Sequence, residues 1–288
     1  MLELYHSINS VCAQKVRIAL AEKGLQATEH LMTLRGDQFD PAYMKLNPNA
    51  VVPTLIHDGN VIVESSVILY YVDEAFPEKS LMPQSPLARA KVRMFNKLVD
   101  EYIHNACIIL TFGTAFRPAL LRLSPEEREV QFSKSPIKKR AEIKRDVVAH
   151  GLESEFMRES LESHDRLLHW IDDAMKTGPY LAGESFSLAD IGAIPYVLRL
   201  ELVGLSRLWD RYPAVGAWWQ RVRNRPSVEQ QIMKRMTDGD WAPFKSIQAD
   251  PWPKVRDMLA AQCMSESWSV QPNSNVQPRS AVPAAADP

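Results

Sequence analysis

Cysteine is scarce in this sequence: Cys12, Cys107 and Cys263 are three thiols in 288 residues, an odd and widely spaced set. That excludes a disulfide framework and suits a reducing compartment, so a cytoplasmic location is expected. Long apolar runs are lacking too. Stretches such as residues 106–110 fall far short of the roughly 18 to 20 residues that span a bilayer, and Met1-Leu2-Glu3-Leu4-Tyr5 carries an acid where a signal peptide has a basic segment. Neither membrane insertion nor export is expected. Charge of one sign is missing: 34 Lys and Arg against 35 Asp and Glu leave a net charge of -1, with no global field to draw in nucleic acid. A Gly-rich phosphate loop, a His pair at metal-ligand spacing and the second glycine of a nucleophile elbow after Gly183-Glu184-Ser185-Phe186 are all absent, so no metal is expected.

What is present divides into two halves. Over residues 1–80, short β-type runs alternate with helical patterns, predicting an α/β unit. Residues 2–5 read as a strand. Residues 15–24 read as a helix ending on Gly24, where a left-handed cap is wanted, and residues 28–34 as a second strand. Pro53-Thr54-Leu55-Ile56-His57, Asp58-Gly59-Asn60 and Val61-Ile62-Val63 form a strand, turn and strand, since Asp-Gly accepts the positive φ of a tight hairpin. A helix over 66–75 comes next, with Ser65 or Ser66 available as its cap. Residues 81–87, with two prolines, read as a linker. Beyond it an all-helical domain is predicted over 88–250, with amphipathic stretches at 88–112, 154–175, 188–202 and 214–223. Within it a charged insert near 118–150 reads as a solvated excursion, its helix start at Ser124 and its basic cluster at Lys138-Lys139-Arg140. Residues 251–288 are poor in core residues and read as a disordered tail.

Three short motifs in the first half carry chemistry. Ser10 precedes the first helix, where backbone N–H groups and the helix dipole favour an anion such as a thiolate. A free thiol ionises near pH 8.5, and lowering that by about two units takes about 2.7 kcal/mol. A hydroxyl hydrogen bond plus the helix end supplies much of this; equally, Ser10 is a simple helix cap. Cys12 offers a rival chemistry, but the redox motif needs a second cysteine where Lys15 stands, and Cys12 reads as a buried thiol beside the site. Val52-Pro53 puts an X-Pro bond directly before a strand, and a cis bond there would turn the Val52 backbone outward to pair with an extended peptide. Glu64-Ser65 at a strand-to-helix junction matches an amino-acid end, the carboxylate for its ammonium and the hydroxyl with helical N–H groups for its carboxylate.

The order Ser10, Pro53, Glu64-Ser65 resembles the glutathione transferase superfamily, whose first domain is thioredoxin-like and whose second is all-helical. The resemblance implies that Ser10 hydrogen-bonds the glutathione sulfur, that Val52 pairs with the cysteinyl backbone, that Glu64 and Ser65 bind the γ-glutamyl end, and that Gln38 reaches the glycyl carboxylate. It departs at Val51, where related enzymes carry Lys or Gln. Phe186-Ser187-Leu188-Ala189-Asp190-Ile191 reads as a capping box and is similar to that superfamily's buried capping motif. His57-Asp58-Gly59 through Glu64-Ser65, Val99-Asp100-Glu101-Tyr102 and the insert after Arg117 are similar to bacterial glutathione-dependent β-etherases, which cleave lignin-derived aryl ethers; in the thiol loop those enzymes carry their activating group nearer the helix, where this chain has Cys12 and Ala13.

An acceptor pocket is expected between the thiol loop and the long helix after the linker, lined by Ile8, Tyr102, Asn105, Ile109 and Phe112. Glutathione as co-substrate, an aromatic small-molecule partner and a dimer, either of identical chains or with a paralogue, are what the resemblance implies. A general transferase for xenobiotic electrophiles and a non-catalytic binding module are the alternatives.

Overall fold

The computed structural model describes residues 1–265. Four strands, β1 (Leu2–His6), β2 (Thr28–Leu31), β3 (Thr54–His57) and β4 (Asn60–Val63), make one sheet in the order β2-β1-β3-β4. β1 pairs parallel with β2 and antiparallel with β3, and β3 pairs antiparallel with β4. The hairpin turns at Asp58 and Gly59, with φ of +48° and +81°, as the Asp-Gly pair predicts. Helix α1 (Val11–Lys23) ends on Gly24 at φ +72°, and α2 (Pro41–Leu46) lies between β2 and β3. Helix α3 (Ser65–Ala75) joins α1 over the sheet, and Leu2, Leu4, Val16, Leu20, Leu55, Ile68 and Val72 close a small core there.

The remainder is helical: α4 (Pro86–Leu98), one π turn (Val99–Ile103), α5 (His104–Gly113), α6 (Arg117–Leu121), α7 (Pro125–Ser133), α8 (Lys138–His150), α9 (Met157–Ala174), α10 (Leu188–Leu202), α11 (Pro213–Arg223), α12 (Pro226–Gln231), α13 (Asp238–Lys245) and α14 (Trp252–Ser265). The 81–87 stretch is not a free linker. Leu81 and Met82 are buried, the Leu188 N–H donates to the Leu81 carbonyl, and α4 already starts at Pro86 because Ser85 caps it. The charged insert is seated rather than solvated: its Ser124–Glu127 capping box opens α7, but Val147 and Val148 of α8 are buried and Arg117 donates to the Val148 and Ala149 carbonyls. The first part of the expected tail is also helical, with Val255 fully buried, while residues 266–288 lie outside the described residues. No described helix is long and apolar enough to cross a membrane.

Helix α1 is the joint between the two halves, packed against α3 on one side and α10 on the other. The joint is polar at its rim. Arg225 makes a bidentate pair with Glu22 at 2.9 Å, Arg199 donates to the Asn9 carbonyl at 2.9 Å, and Arg17 to the carbonyls of Ser7, Ile8 and Gln231.

Buried His164 of α9 shares a 2.7 Å hydrogen bond between Nδ1 and the Ser160 carbonyl, while its Nε2 has no partner among the described residues. Burial pulls it down to about 4, against the smaller opposing pull of that carbonyl. The neutral form is the one folded in, so the stability it contributes is complete above the unfolded value near 6.5. That stability drains as pH falls toward about 4, a loss on the order of 3 kcal/mol. Urea unfolding of the protein and of His164→Met at stepped pH should give a shallower pH slope for the variant; parallel slopes would exclude His164 as an acid trigger.

Candidate functional site

The sheet register decides what meets at the site. Tyr5 pairs with Thr54 and Thr54 with Val63, so the end of β1, the start of β3 and the end of β4 lie in one row. Tyr5 also pairs with His30 of β2. The loop carrying Ser10, the Val52-Pro53 approach to β3, the Glu64-Ser65 junction and the segment leading to Gln38 therefore all leave the sheet at the same end. Three motifs spread over more than fifty residues of chain share one rim.

Each presents an unused group there. Ser10 is the N-cap of α1: its Oγ accepts from the Ala13 N–H at 3.3 Å, which leaves the hydroxyl proton free to donate outward. The Val52-Pro53 bond is cis, and no hydrogen bond among the described residues takes up the Val52 N–H or C=O, whereas the Val51 carbonyl accepts from Tyr43 and from Asn47 at 2.9 Å. Gln38 is half-buried and accepts the Gly36 N–H at 3.0 Å through Oε1, which keeps its amide N–H groups free. Glu64, not Ser65 or Ser66, occupies the cap position of α3, at φ +66°. A non-glycine residue there is strained by roughly 1 to 3 kcal/mol, and such strain concentrates at functional sites. The result is an exposed Glu64 carboxylate beside Ser65, the buried first residue of α3, whose helix N-terminus favours an anion.

Cys12 sits in the densest polar cluster. Its Sγ lies 3.5 Å from His104 Nδ1 and 3.9 Å from the Tyr196 hydroxyl, and those two groups are 3.3 Å apart. Fully buried Lys15, one helical turn on, reaches Ser66 Oγ at 3.2 Å and Asp100 at 3.4 Å, and Ser66 donates to Asp100 at 2.8 Å. Burial alone would push the Cys12 thiol up; the charge and hydrogen bond of His104, the Lys15 charge and the Ser65 hydroxyl reverse that and bring it down to about 6. Cys12 is therefore no inert buried thiol. Buried Cys107, one helical turn beyond His104, is instead pushed up by burial. At pH 7 Cys12 should be largely thiolate, and His104→Leu should cut its alkylation by iodoacetamide at least tenfold, read as labelling of the Cys12 peptide by mass spectrometry. Unchanged labelling would remove His104 from the account.

His104 was not legible as a site residue. The π turn at Val99–Ile103 adds a residue and rotates the phase of α5 relative to α4, while Asn105, Ile109 and Phe112 keep regular spacing within α5. The residues expected to line the acceptor wall differ in exposure. Tyr102 is half exposed with the Arg166 guanidinium 5.2 Å over its ring, Asn105 is exposed, and Ile8 and Ile109 are buried in the main core. Phe112 alone lies part-buried against other aromatic side chains, edge-on to Phe116 at 5.2 Å. The polar side chain that this stretch delivers to the thiol loop is His104. The described residues contain no group of three or more His, Cys, Asp or Glu placed to hold a metal.

The chain is similar to known proteins in both sequence and fold. Residues 9–75 match the glutathione S-transferase N-terminal domain and residues 131–226 the glutathione S-transferase C-terminal domain, together more than half of the chain. Protein LigF of Sphingobium sp. (strain NBRC 103272 / SYK-6) is 28% identical over 242 residues, covering 81% of this chain and 93% of that protein. Glutathione S-transferase 2 of Saccharomyces cerevisiae is 27% identical over 222 residues, 76% of this chain and 84% of its own. The crystal structure of β-etherase LigF from Sphingobium sp. strain SYK-6 superposes with a TM-score of 0.73 at 27% identity, covering 81% of this chain and 99% of that one. A four-stranded domain joined through α1 to a helical domain thus has the sequence and the fold of one family: the chain belongs to the glutathione S-transferases.

Proposed function

We propose that this protein is a glutathione-dependent β-etherase. Glutathione thiolate attacks the carbon bearing the aryl ether oxygen of a β-aryl ether ketone, a carbon–sulfur bond forms as the carbon–oxygen bond breaks, and the phenolate leaves. The observation that carries the glutathione half is the shared rim, with the Ser10 hydroxyl for the sulfur, the unclaimed Val52 backbone for the cysteinyl unit, Glu64 and Ser65 for the γ-glutamyl end and Gln38 for the glycyl carboxylate. Alignment of sulfur, carbon and leaving group is then the main catalytic task. The β-etherase half is supported by the likeness to LigF in sequence and in fold. Incubation with glutathione and a β-aryl ether ketone should release the phenol. Conjugation of 1-chloro-2,4-dinitrobenzene without phenol release would make it a general transferase, and failure to bind glutathione at all would leave a binding module.

The Cys12–His104 pair favours a second reading, thiol–disulfide exchange. The Cys12 thiolate would attack a glutathione mixed disulfide, expel the other thiolate and become glutathionylated, and a second glutathione would regenerate it as glutathione disulfide. A dimer is part of the first reading: Val67, Leu87 and Met94 of α3 and α4 are exposed apolar side chains suited to a partner chain, identical or paralogous.

A further inference from the structure

Helix α8 carries its cations in two groups. Lys139 pairs with Glu142 at 3.9 Å and Arg145 with Glu129 at 2.6 Å, in the ordinary manner of a solvated face. Arg140 and Lys144, one turn apart on another face, have no carboxylate partner among the described residues although both are part-buried. Lys144 Nζ instead sits 4.3 Å above the ring of Phe112. Lys144 thus stands over α5, the helix that also brings His104 to within 3.5 Å of Cys12, and Arg140, one turn earlier on α8, feels the charges of Cys12 and Glu64. Burial pulls the Arg140 guanidinium below its ordinary value, and burial together with the Arg140 charge brings Lys144 down to about 8. Two cations withdrawn from water without a counterion are an electrostatic demand for one. Beside them Phe112 and Phe116 offer aromatic faces, with Phe244 6.4 Å beyond Phe116.

We propose that Arg140 and Lys144 bind the carboxylate of the acceptor substrate, so that this transferase takes aromatic electrophiles carrying an acidic group, with the ring against Phe112 and its reacting carbon toward the thiol rim. This rests on the proposed binding of glutathione at that rim. It gives the charged insert a role in specificity: the guanidinium forks the carboxylate and the ammonium supplies a second, movable donor. The rival source of the same chemistry is a carboxylate of glutathione itself.

The test measures binding of S-benzylglutathione and S-(4-carboxybenzyl)glutathione to the full chain by calorimetry, in the wild type and in R140M/K144M, with thermal unfolding as a check that both are folded. The wild type should bind the carboxylated conjugate about tenfold more tightly, and in the double variant the two conjugates should bind alike. Equal affinities in the wild type would overturn the acceptor assignment while leaving glutathione binding intact. Weakening of both conjugates by the same factor would assign the cations to glutathione and overturn it equally. If neither conjugate binds, the glutathione reading falls and this proposal falls with it.

Discussion

Ser10→Gly should lower the rate of glutathione conjugation at pH 7 by roughly one to two orders of magnitude and move its pH profile upward by one to two units. A hydrogen bond to a charged group contributes about 1.5 to 3 kcal/mol, and each unit of thiol acidity corresponds to about 1.4 kcal/mol. Glycine is the informative replacement because Ser10 is a helix cap as well as the proposed thiol activator. Its Oγ caps α1 by accepting from Ala13, and glycine replaces a capping residue at a cost of only a few tenths of a kcal/mol, whereas alanine costs about 1 kcal/mol. The variant therefore removes the proposed donor to sulfur and spares the helix. Cys12→Ser should change the same rate less than threefold. The reverse pattern, loss in Cys12→Ser with Ser10→Gly active, would transfer the chemistry to the Cys12–His104 pair and to thiol–disulfide exchange. A single stopped-time assay would not separate these; full pH profiles of the three proteins would, since the activating group sets where the profile rises.

Asp190→Ala should destabilise the fold by about 3 to 5 kcal/mol, much of the 5 to 15 kcal/mol typical of a domain. Asp190 is fully buried in the first turn of α10 and accepts from the Leu181 N–H at 3.1 Å, the Ser187 N–H at 3.0 Å, the Ser187 hydroxyl at 3.1 Å and the Trp218 indole N–H at 2.9 Å. Burial raises its carboxyl pKa and those four donors oppose the rise. Alanine would strand all four donors in the core, and an unsatisfied buried donor costs its full desolvation. The consequence reaches the site through α10, since the same helix presents Tyr196 to Cys12 and Arg199 to the Asn9 carbonyl. Equilibrium urea unfolding followed by tryptophan fluorescence measures the loss. A loss below 1 kcal/mol would mean that the capping box is dispensable.

The sequence by itself determined the features whose causes are local. Asp58-Gly59 makes the hairpin because both positions must take positive φ, Gly24 ends α1 for the same reason, and the Ser187–Asp190 box closes within four residues. Ser10, Val52-Pro53 and Glu64-Ser65 were legible as motifs because each is a junction between elements, recognisable without knowing its neighbours. Their order carried the family.

Tertiary structure alone decided which side chains share a space. Cys12 and His104 are 92 residues apart, and only the packing of α5 against α1 and α10 makes them a pair. Helical spacing pointed to Tyr102, Asn105, Ile109 and Phe112 and passed over His104; the π turn at Val99–Ile103 sets the phase of α5 relative to α4, and a single inserted residue leaves no mark in a 3.6-residue pattern. The charged composition of α8 predicted a solvated insert, and a helix so rich in Lys, Arg and Glu does not reveal that Val147 and Val148 anchor it to the core while Lys144 lies over Phe112. Composition likewise made a tail of residues 252–265, although a helix forms there with Val255 fully buried. Local hydrogen bonding and backbone sterics act over a few residues and are written in their identities. The face a helix buries is set by surfaces brought from elsewhere in the chain, and at this site those surfaces come from α1, α5 and α10 together.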